Sequence, residues 1–337
     1  MFNPKLTGIR RCLPGIAVGL VLLLGLIVAA GCSKEDDLKV EQVTIQLDWT
    51  PNTNYSGLYV ARKKGYYREE GLEVKIEEAS GSVLPRVAEG KAQFGISFQE
   101  EVTFARESDE AIPVVSIGAI VQHNTSGFAS LKEKGITGAA DFEGKTYGSW
   151  GYEVEEAMIA ALMDKYGGDP DTVEIVTVGE ADLLTVIERL ADFAWIYYGW
   201  DGIAAELKGA DLNFVPLREL DPMLDYYTPV IITSESFIDE KPGLIERFMR
   251  ATARGYQQAM ENPAAAAEIL LESAPELDGD LVRASQEWLK DKYQADADRW
   301  GWQKKEVWEN YSRWLYEHGL VEKMPDVEKA FTNRFIP

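Results

Sequence analysis

The sequence predicts an α/β protein made of two α/β units, and three observations carry that prediction. Apolar runs with strand periodicity alternate with helix-period segments from residue 43 onward, as in strands joined by crossover helices within a largely parallel sheet. The alternation lapses after residue 121 and resumes as a second set near Lys145. The 337 residues, 46% of them hydrophobic and 27% charged, suffice for two domains at about 150 residues each.

The first element is an address. Residues 1–31 carry Lys5, Arg10 and Arg11 with no acid, followed by an apolar run from Ile16 to Ala30. That order reads as an export signal. Ala29, Ala30 and Gly31 directly before Cys32 resemble the lipobox of bacterial lipoproteins, with Ala29 where Leu is commonest. The resemblance implies cleavage before Cys32, a lipidated Cys32 and a membrane anchor on the extracytoplasmic face. Each buried acyl CH₂ contributes about 0.8 kcal/mol, so two or three chains would hold the protein at a membrane. Residues 32–41 read as a polar tether.

Strands follow at VTIQL (43–47), EVKIEEA (73–79), AQFGISF (92–98) and IPVVSIGAIV (112–121). The second set comprises KTYGSW (145–150), EIVTVG (174–179), FAWIYY (193–198) and LNFVPL (212–217). Leu183, Leu184, Ile187 and Leu190 fall at helical spacing, and Gly167 and Gly168 end a helix containing Met158, Ala161 and Leu162. After VIITS (230–234) only helices are expected. Pro242 and Pro263 suit first turns, Asn262 a cap, and Gly319 the end of a helix over 306–318. This helical tail must bury its apolar face on a sheet. The expected organisation is a first lobe of residues 42–128 and 229–337, with 129–228 inserted as the second.

Composition excludes several functions. The formal charge of -22 would repel a nucleic-acid backbone, so no nucleic-acid partner is expected. Two His (His123, His318) and two Cys (Cys12, Cys32) cannot supply a zinc cage, a Cys/His nucleophile pair or a disulfide framework. Gly144-Lys145-Thr146 lacks the spacing and the preceding strand of a phosphate loop. No metal, cofactor or catalytic residue is expected.

Aromatic residues are the stronger signal. Trp49, Trp150, and Tyr198 with Trp200 each follow a strand, where ligands of open α/β sheets bind. Trp195 is mid-strand and reads as core. Any one of these rings could instead pack under a loop; their shared position is what suggests a crevice. Glu100 follows AQFGISF at the same edge, whereas the other paired carboxylates read as solvated surface.

LDWTPNTNYSGLYVARKKGYYREEGLEV (47–74) resembles the opening of the thiamine-pyrimidine family of periplasmic-type binding proteins, which serve ABC importers and share their fold with fungal pyrimidine synthases. The resemblance continues in FGISFQEEV (94–102), DFAWIYYGWDGIAAELKG (192–209), DYYTPVIITS (225–234) and YQADADRWG (293–301). It implies a periplasmic-binding-protein type II fold, two α/β lobes closing over a hinged cleft, permease and ATPase partners, and no chemistry. Many relatives have His where this chain has Tyr55, and the synthases consume that His.

An aminopyrimidine would stack on Trp49, Tyr55, Trp150, Tyr198 and Trp200. Its exocyclic N–H groups would donate to Glu100, Glu153 or Asp201, with Asn54 donating and accepting. The ligand class expected is a flat, uncharged or cationic heteroaromatic: formylaminopyrimidine, hydroxymethylpyrimidine, or a riboflavin-like molecule. A sulfonate is weaker, because no Arg or Lys accompanies these aromatic positions.

Overall fold

The computed structural model describes residues 40–108, 111–179 and 181–337. The export segment 1–31, Cys32 and all but the last two residues of the tether lie outside the described residues.

Among the described residues ten strands form two sheets: β1 (Glu41–Gln46), β2 (Leu72–Glu77), β3 (Phe94–Ser97), β4 (Val114–Ala119), β5 (Ser126–Leu131), β6 (Thr146–Ser149), β7 (Glu174–Thr177), β8 (Phe193–Tyr197), β9 (Leu212–Pro216) and β10 (Val230–Ser234). The first sheet has the order β2-β1-β3-β10-β4 and the second β7-β6-β8-β5-β9. In each, four strands run in one direction, and a single antiparallel strand stands second from one edge. That strand is β10 in the first sheet and β5 in the second, so the antiparallel position is taken by the strand that enters from the other half. The two halves therefore share one topology.

Nine strands coincide with the expected runs, and β5 is the addition. The chain enters the second sheet at Ser126, three residues before the boundary drawn at 129. SGFASL is rich in small residues because its two faces are packed. A Cβ on Gly127 would lie 2.4 Å from the Val215 carbonyl oxygen and 2.8 Å from the Phe214 ring. With small residues required beside Phe128, no apolar alternation develops.

The helix Pro242–Glu261 covers the first sheet. Phe248 stacks on Phe94 at 3.8 Å and on Tyr67 at 5.5 Å. Full burial of such a ring contributes about 1.5–3 kcal/mol. This helix crosses Ser56–Lys63 at backbone contact, where a Cβ on Gly255 would sit 2.0 Å from the Gly57 carbonyl oxygen. Pro263 opens Pro263–Ser273 as expected, and Asn262 stands at its cap without a side-chain cap bond.

The tail departs from an assignment to the first lobe alone. In the helix Lys305–Glu317, Trp308 joins the cluster on β4 and β10, whereas Tyr311, Trp314 and Leu315 join Phe128, Tyr147 and Trp195 of the second half. Its apolar stripe is long enough to serve both cores. The helix Gly279–Leu289 also touches both, because the Ser285 hydroxyl contacts Thr53 Oγ1 at 2.6 Å and donates to the Gly199 carbonyl.

Candidate ligand-binding site

On the second sheet, period-2 alternation puts Phe193, Trp195 and Tyr197 on one face of β8 and Tyr198 on the other. β6 lies parallel beside β8 and is followed directly by Trp150. The Trp150 ring lies 5.2 Å from Trp195 at 20° and 6.1 Å from Tyr197 at 11°. Three rings thus form a stacked wall with Trp150 part-exposed. Glu155 fixes the loop that carries Trp150. Its carboxylate accepts from Tyr147 Oη (2.5 Å), Ser149 Oγ (3.2 Å) and the N–H groups of Trp150 (3.0 Å), Gly151 (3.0 Å) and Tyr152 (2.9 Å). A carboxylate three residues into a helix suits those free N–H groups and the helix dipole.

The first sheet supplies acids at the matching ends. After β1 comes Asp48, whose Oδ1 accepts from Tyr55 Oη at 2.6 Å. After β3 comes the helix Gln99–Glu107, with Glu100 and Glu101 in its first turn. Glu101 Oε2 accepts from Ser97 Oγ at 2.7 Å, and Glu100 Oε2 accepts from the Tyr311 hydroxyl. Tyr311 is itself stacked on Tyr226 at 4.0 Å.

Burial pushes Asp48 up to about 6 against the lowering bond from Tyr55. Burial likewise raises Glu100 to about 7, with the charges of Glu101 and Glu155 adding to it and the Tyr311 bond opposing. Glu101 is raised for the same first reason. Among the described residues, no lysine or arginine is among the charges acting on these three. In the ring wall, the Tyr197 hydroxyl lies 3.2 Å from Thr228 Oγ1 on the segment that returns to the first sheet. Burial raises that hydroxyl, and the charges of Glu100, Asp48 and Glu101 raise it further.

Of the residues expected at a site, Glu100 lies among the acids of the first half and Trp150 in the ring wall of the second. Tyr55 is 1% exposed and supports Asp48 from within the first core. Trp49 is exposed at the end of β1, and the Asn54 carbonyl accepts from Tyr256 Oη at 2.7 Å. Glu153 is exposed; Glu155, two residues on, is the buried carboxylate. Tyr198 faces away from the wall, against Phe214 and Trp288, and its hydroxyl donates to Glu206. Trp200 packs on the first core. Asp201 accepts from the Tyr197 N–H at 3.2 Å and lines a small cavity with Asp182 and Lys208. Asp48, Glu101, Glu155, Tyr197 and Tyr311 are additions. The strand-end rule that selected Trp49 also reaches Asp48 one residue earlier, whereas nothing local marks Tyr311.

Residues 52–266 match the family model described as NMT1/THI5 like. The chain belongs to the NMT1/THI5-like family. A formylaminopyrimidine-binding protein of Halalkalibacterium halodurans is 30% identical over 93% of this chain and 97% of its own. A 4-amino-5-hydroxymethyl-2-methylpyrimidine phosphate synthase of Legionella pneumophila is 24% identical over 88% and 92%. Among solved structures, the alkanesulfonate-binding protein SsuA of Xanthomonas axonopodis pv. citri bound to MOPS matches with a TM-score of 0.62 at 14% identity, covering 86% of this chain and 98% of that one. The fold of this family member is accordingly that of periplasmic binding proteins.

Proposed function

We propose that this protein is the extracytoplasmic solute-binding component of an ABC importer, capturing a pyrimidine precursor of thiamine of the formylaminopyrimidine or hydroxymethylpyrimidine type. The observation that carries this reading is a stacked ring wall at the strand ends of the second half together with buried carboxylates at the strand ends of the first, none of which forms a salt bridge among the described residues. A flat amino-heteroaromatic satisfies both surfaces. Its ring stacks on Trp150 and Tyr197, which contributes about 0.5–1.5 kcal/mol per ring pair beyond burial. Its exocyclic N–H groups donate to Asp48, Glu100 and Glu101. An anionic sulfonate would face three acids instead, a like-charge arrangement that costs affinity.

The 30%-identical binding protein supports the ligand class, and the Tyr197–Thr228 hydrogen bond, between the second sheet and the segment returning to the first, supports closure of the two halves over the ligand. Binding without chemistry fits Tyr55, whose hydroxyl is occupied by Asp48. Among the described residues no helix is long and apolar enough to cross a membrane. The anchor assigned to this protein is an acylated Cys32, with permease and ATPase subunits as its partners in the membrane.

The test is calorimetric titration with the formylated aminopyrimidine, hydroxymethylpyrimidine, riboflavin and taurine, followed by recovery of the ligand. The expected result is tight binding of a pyrimidine that is returned unchanged. Tight binding of taurine alone, or recovery of an altered pyrimidine, overturns the reading. Cell fractionation of wild type and Cys32→Ser tests the anchor, with release of the variant from the membrane expected.

A further inference from the structure

The two chain crossings between the sheets meet at one side chain. His123 lies in the outgoing crossing, between the last residue of β4 and the first of β5. Its neighbours are tied to opposite halves. The Gln122 N–H donates to the Lys292 carbonyl (3.2 Å) and its side-chain amide to the Trp302 carbonyl (3.1 Å), in a tail segment whose Tyr293 and Trp300 belong to the first core. The Asn124 N–H donates to Asp225 Oδ1 (2.8 Å) and its side-chain amide to the carbonyl of Leu224, a residue of the second core (2.9 Å). His123 itself spans the two attachments, with Nδ1 2.7 Å from Asp225 Oδ2 and Nε2 2.9 Å from Asp296 Oδ1.

We propose that His123 is a proton-operated latch between the halves: its imidazolium holds them in the arrangement seen here, and the neutral ring lets them part. Only the imidazolium has two N–H groups, so only that form donates to both carboxylates at once. The groups facing it are Asp225 on the return crossing and Asp296 on the tail, with Lys304 Nζ 2.9 Å from Asp296 Oδ2 and the Lys304 N–H donating to Tyr227 Oη. The hydrogen bond to Asp225 is the largest influence raising His123 above the ordinary histidine value, burial opposes it, and Asp296 adds to the rise. Lys304 and His123 in turn hold Asp296 down at about 2. The latch is therefore fully engaged below the ordinary histidine range and is lost as pH rises through the raised value.

The buried acids Asp48, Glu100 and Glu101 also lose protons as pH rises, so the test must separate the two sources. It uses the ligand-free full chain and stands apart from the identity of the ligand. With two His in the sequence, His123 is followed by the imidazole NMR signal that disappears in His123→Gln. Small-angle scattering follows the radius of gyration from pH 5.5 to 9. The expected result is an expansion that coincides with the His123 titration, is lost in His123→Gln and in Asp296→Asn, and survives in Glu100→Gln. Asp296 is more than half exposed, so its variant leaves the core intact. No expansion across the titration, an expansion retained in both latch variants, or one lost only in Glu100→Gln overturns the proposal.

Discussion

The two halves of the molecule share a strand order but present opposite chemistries from equivalent places. In the first half the chain leaves β1 and β3 into Asp48, Glu100 and Glu101; in the second it leaves β6 and β8 through Trp150 and Tyr197. The backbone topology supplies two equivalent rims that differ in their side chains. An acid rim alone would attract any cation, and a ring rim alone any flat apolar solute. Together, in the proposed function, they would select a flat molecule that carries N–H groups.

The largest effect on this contrast is expected from Glu100→Gln. Glu100 rises from 4.5 to about 7 on folding, so the folded protein holds this proton over a range where the unfolded chain has lost it. Its contribution to stability is present below pH 4.5 and is lost as pH climbs through about 7. At about 1.4 kcal/mol per pH unit that is about 3 kcal/mol. Denaturant unfolding of the ligand-free protein should show the loss, and Glu100→Gln should remove most of it while weakening pyrimidine binding. A variant with the wild-type profile would mean that the acid rim stays solvated.

Trp150→Ala comes next. Truncating a ring stacked on ligand and wall should weaken pyrimidine binding by about 2 kcal/mol, by analogy with interface hot spots. The pH profile of stability should be unchanged, since no acid is touched. Trp200→Ala gives the contrast: because Trp200 packs on the first core, its variant should lower the thermal midpoint. If Trp200→Ala instead abolished binding at an unchanged midpoint, the ring rim would extend further than Trp150 and Tyr197.

Tyr55→Phe is the smallest. It removes the donor that holds Asp48 down, so Asp48 should titrate higher still, at a stability cost of about 1 kcal/mol. Affinity for pyrimidine should change little, which calorimetry can check. A large loss would place the Tyr55 hydroxyl on the ligand rather than on Asp48.

The sequence makes the alternation of β1–β4 and β6–β9 legible because their apolar periods are unbroken. β5 escapes because close packing left it only Phe128 and Leu131 as large apolar residues among Ser, Gly and Ala. Strand-end position picks out Trp150 and Glu100, yet it cannot tell Tyr197 from Tyr198. One residue of register sends Tyr198 to the opposite face, and only the pairing of β8 with β5 and β6 fixes that register. Glu153 and Glu155 pose the same problem on a helix, where a difference of two positions separates solvent from the buried loop. Tyr311 is invisible for another reason: its partner Glu100 is 211 residues away, and no local pattern encodes that contact.

That separation has a consequence for the order of events in the cell. The hydroxyl that supports Glu100 is absent until synthesis has reached Tyr311, so the acid rim cannot be completed on a nascent chain that lacks the tail. On the proposed export route the chain would be threaded unfolded, and a rim completed by one of its last-made helices would leave the emerging chain without a solute to clamp it prematurely.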